Sequence, residues 1–246
     1  MSTRVVRLRR YLIATVVAMA VPLPANGQFL NFVVNEGVVS GTSELVLEAD
    51  KISGAYTGRI TFNASGIRRR PTFTMRAYAD FVQYLVNEGT SPAPGQLGQV
   101  GSPSSIEYGL YALLAFSGTV RQPLVPGQPF SLLTTNAEIH VYVDPNLDTV
   151  KSVGATGADP IALTNTADDF ELLFASQLSR ATVLTQPPDG GFFTHVFGSP
   201  TTTELGRLYW PTLPSNVALN VNGDFDRFAL TETQTVTGDV SAVFEP

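Results

Sequence analysis

Period-two alternation of apolar and polar side chains, cut at short intervals by turn residues, is the pattern that most constrains this chain. In Glu138-Ile139-His140-Val141-Tyr142-Val143, the residues Ile139, Val141 and Val143 fall on one face of an extended strand. Val217, Leu219 and Val221 do the same against Asn216, Asn220 and Asn222. The stretch Phe228 to Phe244 is rich in Thr and Val, which suit a half-buried pleated surface. Asp144-Pro145-Asn146 and Pro187-Pro188-Asp189-Gly190-Gly191 are turn signals of the kind that separate such runs. Helical periodicity is hard to find. Many short strands between turns predict an all-β fold, a single-domain antiparallel β-sandwich or a barrel-like sheet.

The longest break in this pattern is Thr90 to Ser105, dense in Pro, Gly and Ser, with a shorter one from Arg121 to Pro129. Were 90–105 a linker, the piece before it would hold only about 60 residues, near the lower limit for an independent core. It reads instead as a long surface loop within one domain, residues 28–246. One internal echo exists, between Phe32-Val33-Val34-Asn35-Glu36-Gly37 and Tyr84-Leu85-Val86-Asn87-Glu88-Gly89. Nothing around it repeats, and solenoids need several matching units. A strand running into a glycine turn generates it locally.

The first 27 residues stand apart. Arg4, Arg7, Arg9 and Arg10 precede an uncharged apolar run from Tyr11 to Val21, and Pro22, Pro24, Ala25 and Gly27 follow. A basic start, a short apolar core and small residues at the exit read as a secretory signal peptide, residues 1–27. The run is too short to span a bilayer comfortably, which takes about 20 apolar residues. Arg9-Arg10 resembles a twin-arginine signal, but no Ser or Thr immediately precedes the pair, and the general secretion route fits better. The expected mature chain begins at Gln28, acts outside the cytoplasm and has no stable membrane span.

Loss of the four N-terminal arginines leaves 11 basic side chains against 21 acidic ones, a net charge near −10. That balance disfavours nucleic acid and anionic membranes as partners. Cysteine is absent, which excludes thiol nucleophiles and zinc–thiolate sites. With only His140 and His195, one chain cannot build a multi-histidine metal centre. Neither a Gly-x-Ser-x-Gly elbow nor a Ser-x-x-Lys pair is present. His140 lies opposite the apolar face of its strand, and His195 sits in an aromatic strand as a packed or edge side chain. No catalytic residue and no required cofactor is expected.

Two binding motifs remain. Asp144, Asn146 and Asp148 place oxygen side chains at alternate positions, as in the opening of a calcium loop. An EF-hand fails, because Thr149 and Ala155 stand where Gly and Glu belong. The alternative is a turn in which Asp144 bonds its own backbone. Tyr209 and Trp210, the latter the only tryptophan, are candidate carbohydrate contacts if exposed and ordinary core if not. Asn63-Ala64-Ser65 fits a glycosylation acceptor, a triplet common by chance.

Several segments carry a family resemblance. They are Ala49-Asp50-Lys51-Ile52-Ser53-Gly54-Ala55-Tyr56, Ala79-Asp80-Phe81-Val82, Tyr108-Gly109-Leu110-Tyr111-Ala112, Tyr142-Val143-Asp144-Pro145-Asn146 and Asp168-Asp169-Phe170-Glu171-Leu172-Leu173. The ending Thr237-Gly238-Asp239-Val240-Ser241-Ala242-Val243-Phe244 completes the series. In this order they resemble the flocculation-associated PEP-CTERM proteins of bacteria, from about Phe29 to Phe244. The resemblance implies a secreted, β-rich protein associated with exopolysaccharide and cell clumping. The family's sorting tag would begin where this sequence stops, at Phe244-Glu245-Pro246, so anchoring is not carried over. The expectation is a non-catalytic surface or matrix protein whose partner is an exopolysaccharide or cell-surface polymer. The alternatives are a lectin-like carbohydrate-binding module and a secreted glycoside hydrolase with two carboxylates.

Overall fold

The computed structural model describes residues 29–39, 45–63, 70–98, 108–121, 130–185, 191–212, 215–223 and 232–245. The expected signal peptide, Ala64 and Ser65, residues 99–105 of the first long loop and 122–129 of the second lie outside these residues. The strands in chain order are β1 (Phe32–Asn35), β2 (Val46–Ala49), β3 (Lys51–Asn63), β4 (Thr72–Val86), β5 (Ser91–Pro92), β6 (Gly109–Val120) and β7 (Phe130–Asp144). There follow β8 (Val150–Ser152), β9 (Ala162–Thr164), β10 (Phe170–Ala175), β11 (Gln177–Thr185), β12 (Gly191–Gly198), β13 (Thr201–Thr202), β14 (Asn216–Gly223) and β15 (Thr233–Glu245). A single short helix, α1 (Glu204–Tyr209), precedes β14 among the described residues.

The all-β expectation holds, in its barrel-like form. One large antiparallel sheet runs β11-β12-β14-β15-β3-β4-β6-β7-β10, each long strand beside its neighbour in sequence. The last strand pairs with the first long one over Thr233↔Thr61 to Val243↔Lys51. β11 also meets the start of β7, at Phe130↔Thr185 and Ser131↔Leu184, so the strand order returns on itself. β4 and β6, which flank segment 90–105, pair directly over Thr72↔Thr119 to Phe81↔Leu110.

Alternation sorts the side chains as the sequence predicts. Ile139, Val141 and Val143, and likewise Val217, Leu219 and Val221, are buried on the inner face. Outward positions of β3 are Lys51, Ser53, Thr57, Arg59 and Thr61, between the buried Ile52, Tyr56, Ile60 and Phe62. A bilayer-spanning barrel needs the reverse, an apolar outward band. Among the described residues no helix is long and apolar enough to cross a membrane.

One end of the barrel is plugged. The β1–β2 hairpin and α1 pack there, with Phe32 edge-on to Phe244 at 4.4 Å. Thr203 caps α1, its Oγ1 accepting from Gly206 N (2.9 Å) and donating to Glu171 O (2.7 Å). On the outer wall, the segment carrying β8 and β9 folds back over β3 and β4. Arg59 Nε donates to Gly154 O (3.1 Å), Gly157 N donates to Thr61 Oγ1 (2.9 Å), and Lys151 pairs with Asp80 (3.1 Å). Gly157 is the point of closest approach: a Cβ there would lie 2.2 Å from Thr74 O, so only glycine fits.

Candidate functional site

A polar groove of about 510 Å³ opens on the outer wall where β14, β15, β3 and β4 run side by side. Its lining includes Asn220, Asn222, Asp239, Ser241, Ser53 and Gln83. Their direction follows from the pleat, since Leu219, Val221, Val240 and Ala242 beside them are buried. A bulge between Ser53 and Gly54 brings the β4 backbone close, and a Cβ on Gly54 would lie 1.9 Å from Asp80 O. Val196, Ala218 and Val243 bound the groove toward the plugged end, covered by Phe29. Asn222 and Asp239 stand exposed. Thr194 Oγ1 donates to Asn220 Oδ1 (2.8 Å), and Gln83 Nε2 donates to Ser53 Oγ (3.1 Å).

The aromatic pair predicted as carbohydrate contacts is elsewhere, and that expectation is corrected. Trp210 is 2% exposed and Tyr209 0%, both in the plugged end. α1 delivers them there as its last residue and C-cap, where Trp210 packs edge-on against Tyr209 (5.1 Å) and Phe244 (6.1 Å). Tyr209 is the centre of a buried chain. Tyr108 donates to Glu36 Oε1 (2.7 Å), the Tyr209 hydroxyl lies 2.6 Å from that of Tyr108, and the Tyr84 hydroxyl bonds to Tyr209. Glu36 also accepts from Gln96 N and Gln96 Nε2. Burial holds all three tyrosine hydroxyls well above the ordinary phenol range.

The acidic loop after β7 is only partly the predicted set. Asp144 uses both carboxylate oxygens on its own loop, accepting from Asp148 N (3.2 Å) and Thr149 N (3.0 Å). Asn146 turns its amide onto Asp168 Oδ2 (2.8 Å) as a donor, so it brings no oxygen to the cluster by this bond. The carboxylates that converge are Asp144, Asp148 and Asp168, each with an oxygen within 4.8 Å of the others. Beside them Asp169 Oδ2 accepts from Tyr111 (2.6 Å) and Thr149 Oγ1 (2.8 Å), while its Oδ1 is buried without a hydrogen-bond partner. Burial pushes the Asp169 carboxyl up, opposed by those two bonds and reinforced by Asp144 and Asp168. Hard oxygen donors of this kind suit calcium; the hydrogen bonds of Asp144 suit the turn.

Asp144→Ala strips the acceptor from two backbone donors and is expected to cost about 1–3 kcal/mol in calcium-free buffer. Melting with and without calcium separates the two accounts. A midpoint raised by calcium in the unaltered protein, and not in Asp168→Ala, puts the ion among these carboxylates. An unmoved midpoint leaves the turn as the whole account.

The histidines fall on opposite faces of the wall. His140 points outward, 2.6 Å from Glu171 and against Phe174. His195 points inward, its Nε2 2.9 Å from Thr134 Oγ1 and its ring stacked on Phe116 at 4.3 Å. A hydroxyl beside an imidazole is a nucleophile–base arrangement. Here both groups are buried in the packed interior, out of reach of substrate. Sequence reasoning missed the groove, although Asn220 and Asn222 were visible as one polar strand face; which strands complete it depends on long-range pairing.

The chain matches no family model, and no curated protein or solved structure shows significant similarity to it.

Proposed function

We propose that this protein is a secreted, non-catalytic component of the bacterial exterior that associates with exopolysaccharide and contributes to aggregation and biofilm. The observation that supports this reading is the polar groove on the outer wall. Amide, hydroxyl and carboxylate side chains grouped on a rigid sheet suit hydroxyl-rich polymers, whose many weak contacts add up along the chain. The sequence resemblance to flocculation-associated PEP-CTERM proteins points the same way, as does the signal-like N-terminus.

A fractionated culture with intact masses from each fraction tests it. The expected result is matrix-bound protein whose mass begins at Gln28. Protein confined to the cytoplasm at full length overturns the reading. A parallel assay for new reducing ends on the isolated matrix polymer is expected to stay at background; release of ends would make the protein a glycoside hydrolase instead. The lectin-like alternative differs in stoichiometry, since it requires saturable binding to one short sugar.

A further inference from the structure

Directly opposed residues on five adjacent strands form one row across the outer wall. Thr194 on β12 faces Asn220 on β14, Asn220 faces Ser241 on β15, Ser241 faces Ser53 on β3, and Ser53 faces Gln83 on β4. Every member is a neutral hydroxyl or amide. The next row toward the open end adds Asn222 and Asp239, also directly opposed. Neighbouring strands lie about 4.8 Å apart, close to the length that one hexopyranose unit adds to an extended glycan. The row therefore offers one polar side chain per sugar.

We propose that a neutral polysaccharide chain lies across the strands on this row, without a metal ion. This deepens the functional reading above and rests on it. The hydrogen bonds within the row leave defined groups for a ligand. Asn220 Oδ1 is taken by Thr194, so its Nδ2 is left to donate; Gln83 Nε2 is taken by Ser53, so its Oε1 is left to accept. Asp239 adds acceptors only. Donors and acceptors mixed at this spacing match ring hydroxyls, which do both. Other occupants fit poorly. The row is in mid-sheet, where the backbone groups are spent on the ladder, so a peptide cannot add as a strand. Lys51 is the one basic side chain lining the groove and Asp239 the one acidic, so nothing here selects a polyanion. With no ring platform in the lining, each sugar is held weakly, and affinity grows with chain length rather than residing in one unit.

The test is electrophoresis of the purified protein through gels containing a soluble neutral β-glucan, a neutral galactomannan or the polyanion alginate, each with calcium and with chelator. Retardation by a neutral polymer, equal under both conditions and not relieved by the monosaccharide, is expected. Asn220→Ala combined with Asp239→Ala should weaken it about fivefold or more, and Gln83→Ala independently so. Glu138→Ala, outside the groove, should leave it unchanged. Matching melting midpoints establish that the variants fold. Retardation untouched by both groove variants overturns the site while the functional reading stands. Binding to alginate alone, or only with calcium, overturns the neutral, metal-free assignment. No retardation by either neutral polymer overturns the proposal, and failure to bind isolated matrix polymer as well overturns the reading beneath it.

Discussion

Glu36→Ala is expected to lower the stability of the barrel by about 3–5 kcal/mol, measured as the shift in the denaturant midpoint at unchanged slope. The buried Glu36 carboxylate gathers Gln96 N, Gln96 Nε2 and the Tyr108 hydroxyl, and alanine leaves those donors buried without it. The same carboxylate fixes the direction of the tyrosine chain. Because the Tyr108 hydroxyl donates its hydrogen bond to Glu36, Tyr209 must donate to Tyr108, and Tyr84 to Tyr209. Glu36→Gln then has a specific consequence. An amide hydrogen aimed at Tyr108 reverses the chain and leaves the Tyr84 hydroxyl at its far end without Tyr209 as acceptor, a cost of about 1–2 kcal/mol. Tyr209→Phe interrupts the chain in either direction and is expected to cost about 2–3 kcal/mol. A glutamine variant as damaged as alanine, or a phenylalanine variant without effect, would show that the hydroxyls do not act as one chain.

The two copies of the internal echo show how far the sequence could be read. Phe32 to Gly37 and Tyr84 to Gly89 share a strand that runs into Asn-Glu-Gly. In the first, the chain continues as a 3-10 turn over Glu36–Val38 and carries Glu36 into the core. In the second, Asn87, Glu88 and Gly89 all take positive φ, and Asp50 accepts the N–H groups of Glu88 (2.6 Å) and Gly89 (3.0 Å). Local letters set the strand and the turn; the partner outside the segment sets which way the glutamate goes. The same limit governs the rest. Alternation over 139–143 and 217–221 assigns faces correctly because a pleat is local. Closure through β7 and β11 joins residues more than fifty positions apart, and no local pattern encodes that register. Tyr209 and Trp210 could not be placed while α1 was unseen: at six residues it is too short for helical periodicity, and its end signals, Thr203 with Glu204 and Arg207, occupy only a few positions. The groove combines both cases, legible on β14 and invisible across it.

Acidification from pH 6.5 to about 4 is expected to remove about 3 kcal/mol of stability through His195 alone. The ring is 1% exposed, and burial lowers its pKa from the ordinary 6.5 to about 4. An unfolded chain takes up the proton near 6.5, whereas the folded chain resists it down to about 4. Across that window the unfolded state binds more protons, so stability falls as pH falls, and below it the loss levels off because both states are protonated. Carboxyl groups of the unfolded chain take up protons near the lower edge of the window, and the measurement must separate them. His195→Gln keeps an amide that can meet Thr134 while removing the titration. The difference in unfolding free energy between the two proteins should therefore change by about 3 kcal/mol from pH 7 to pH 4, in favour of the variant at low pH. A difference that stays constant with pH would mean that His195 is not held neutral by the core. Its inward position beside Thr134 would then have to be reached by water.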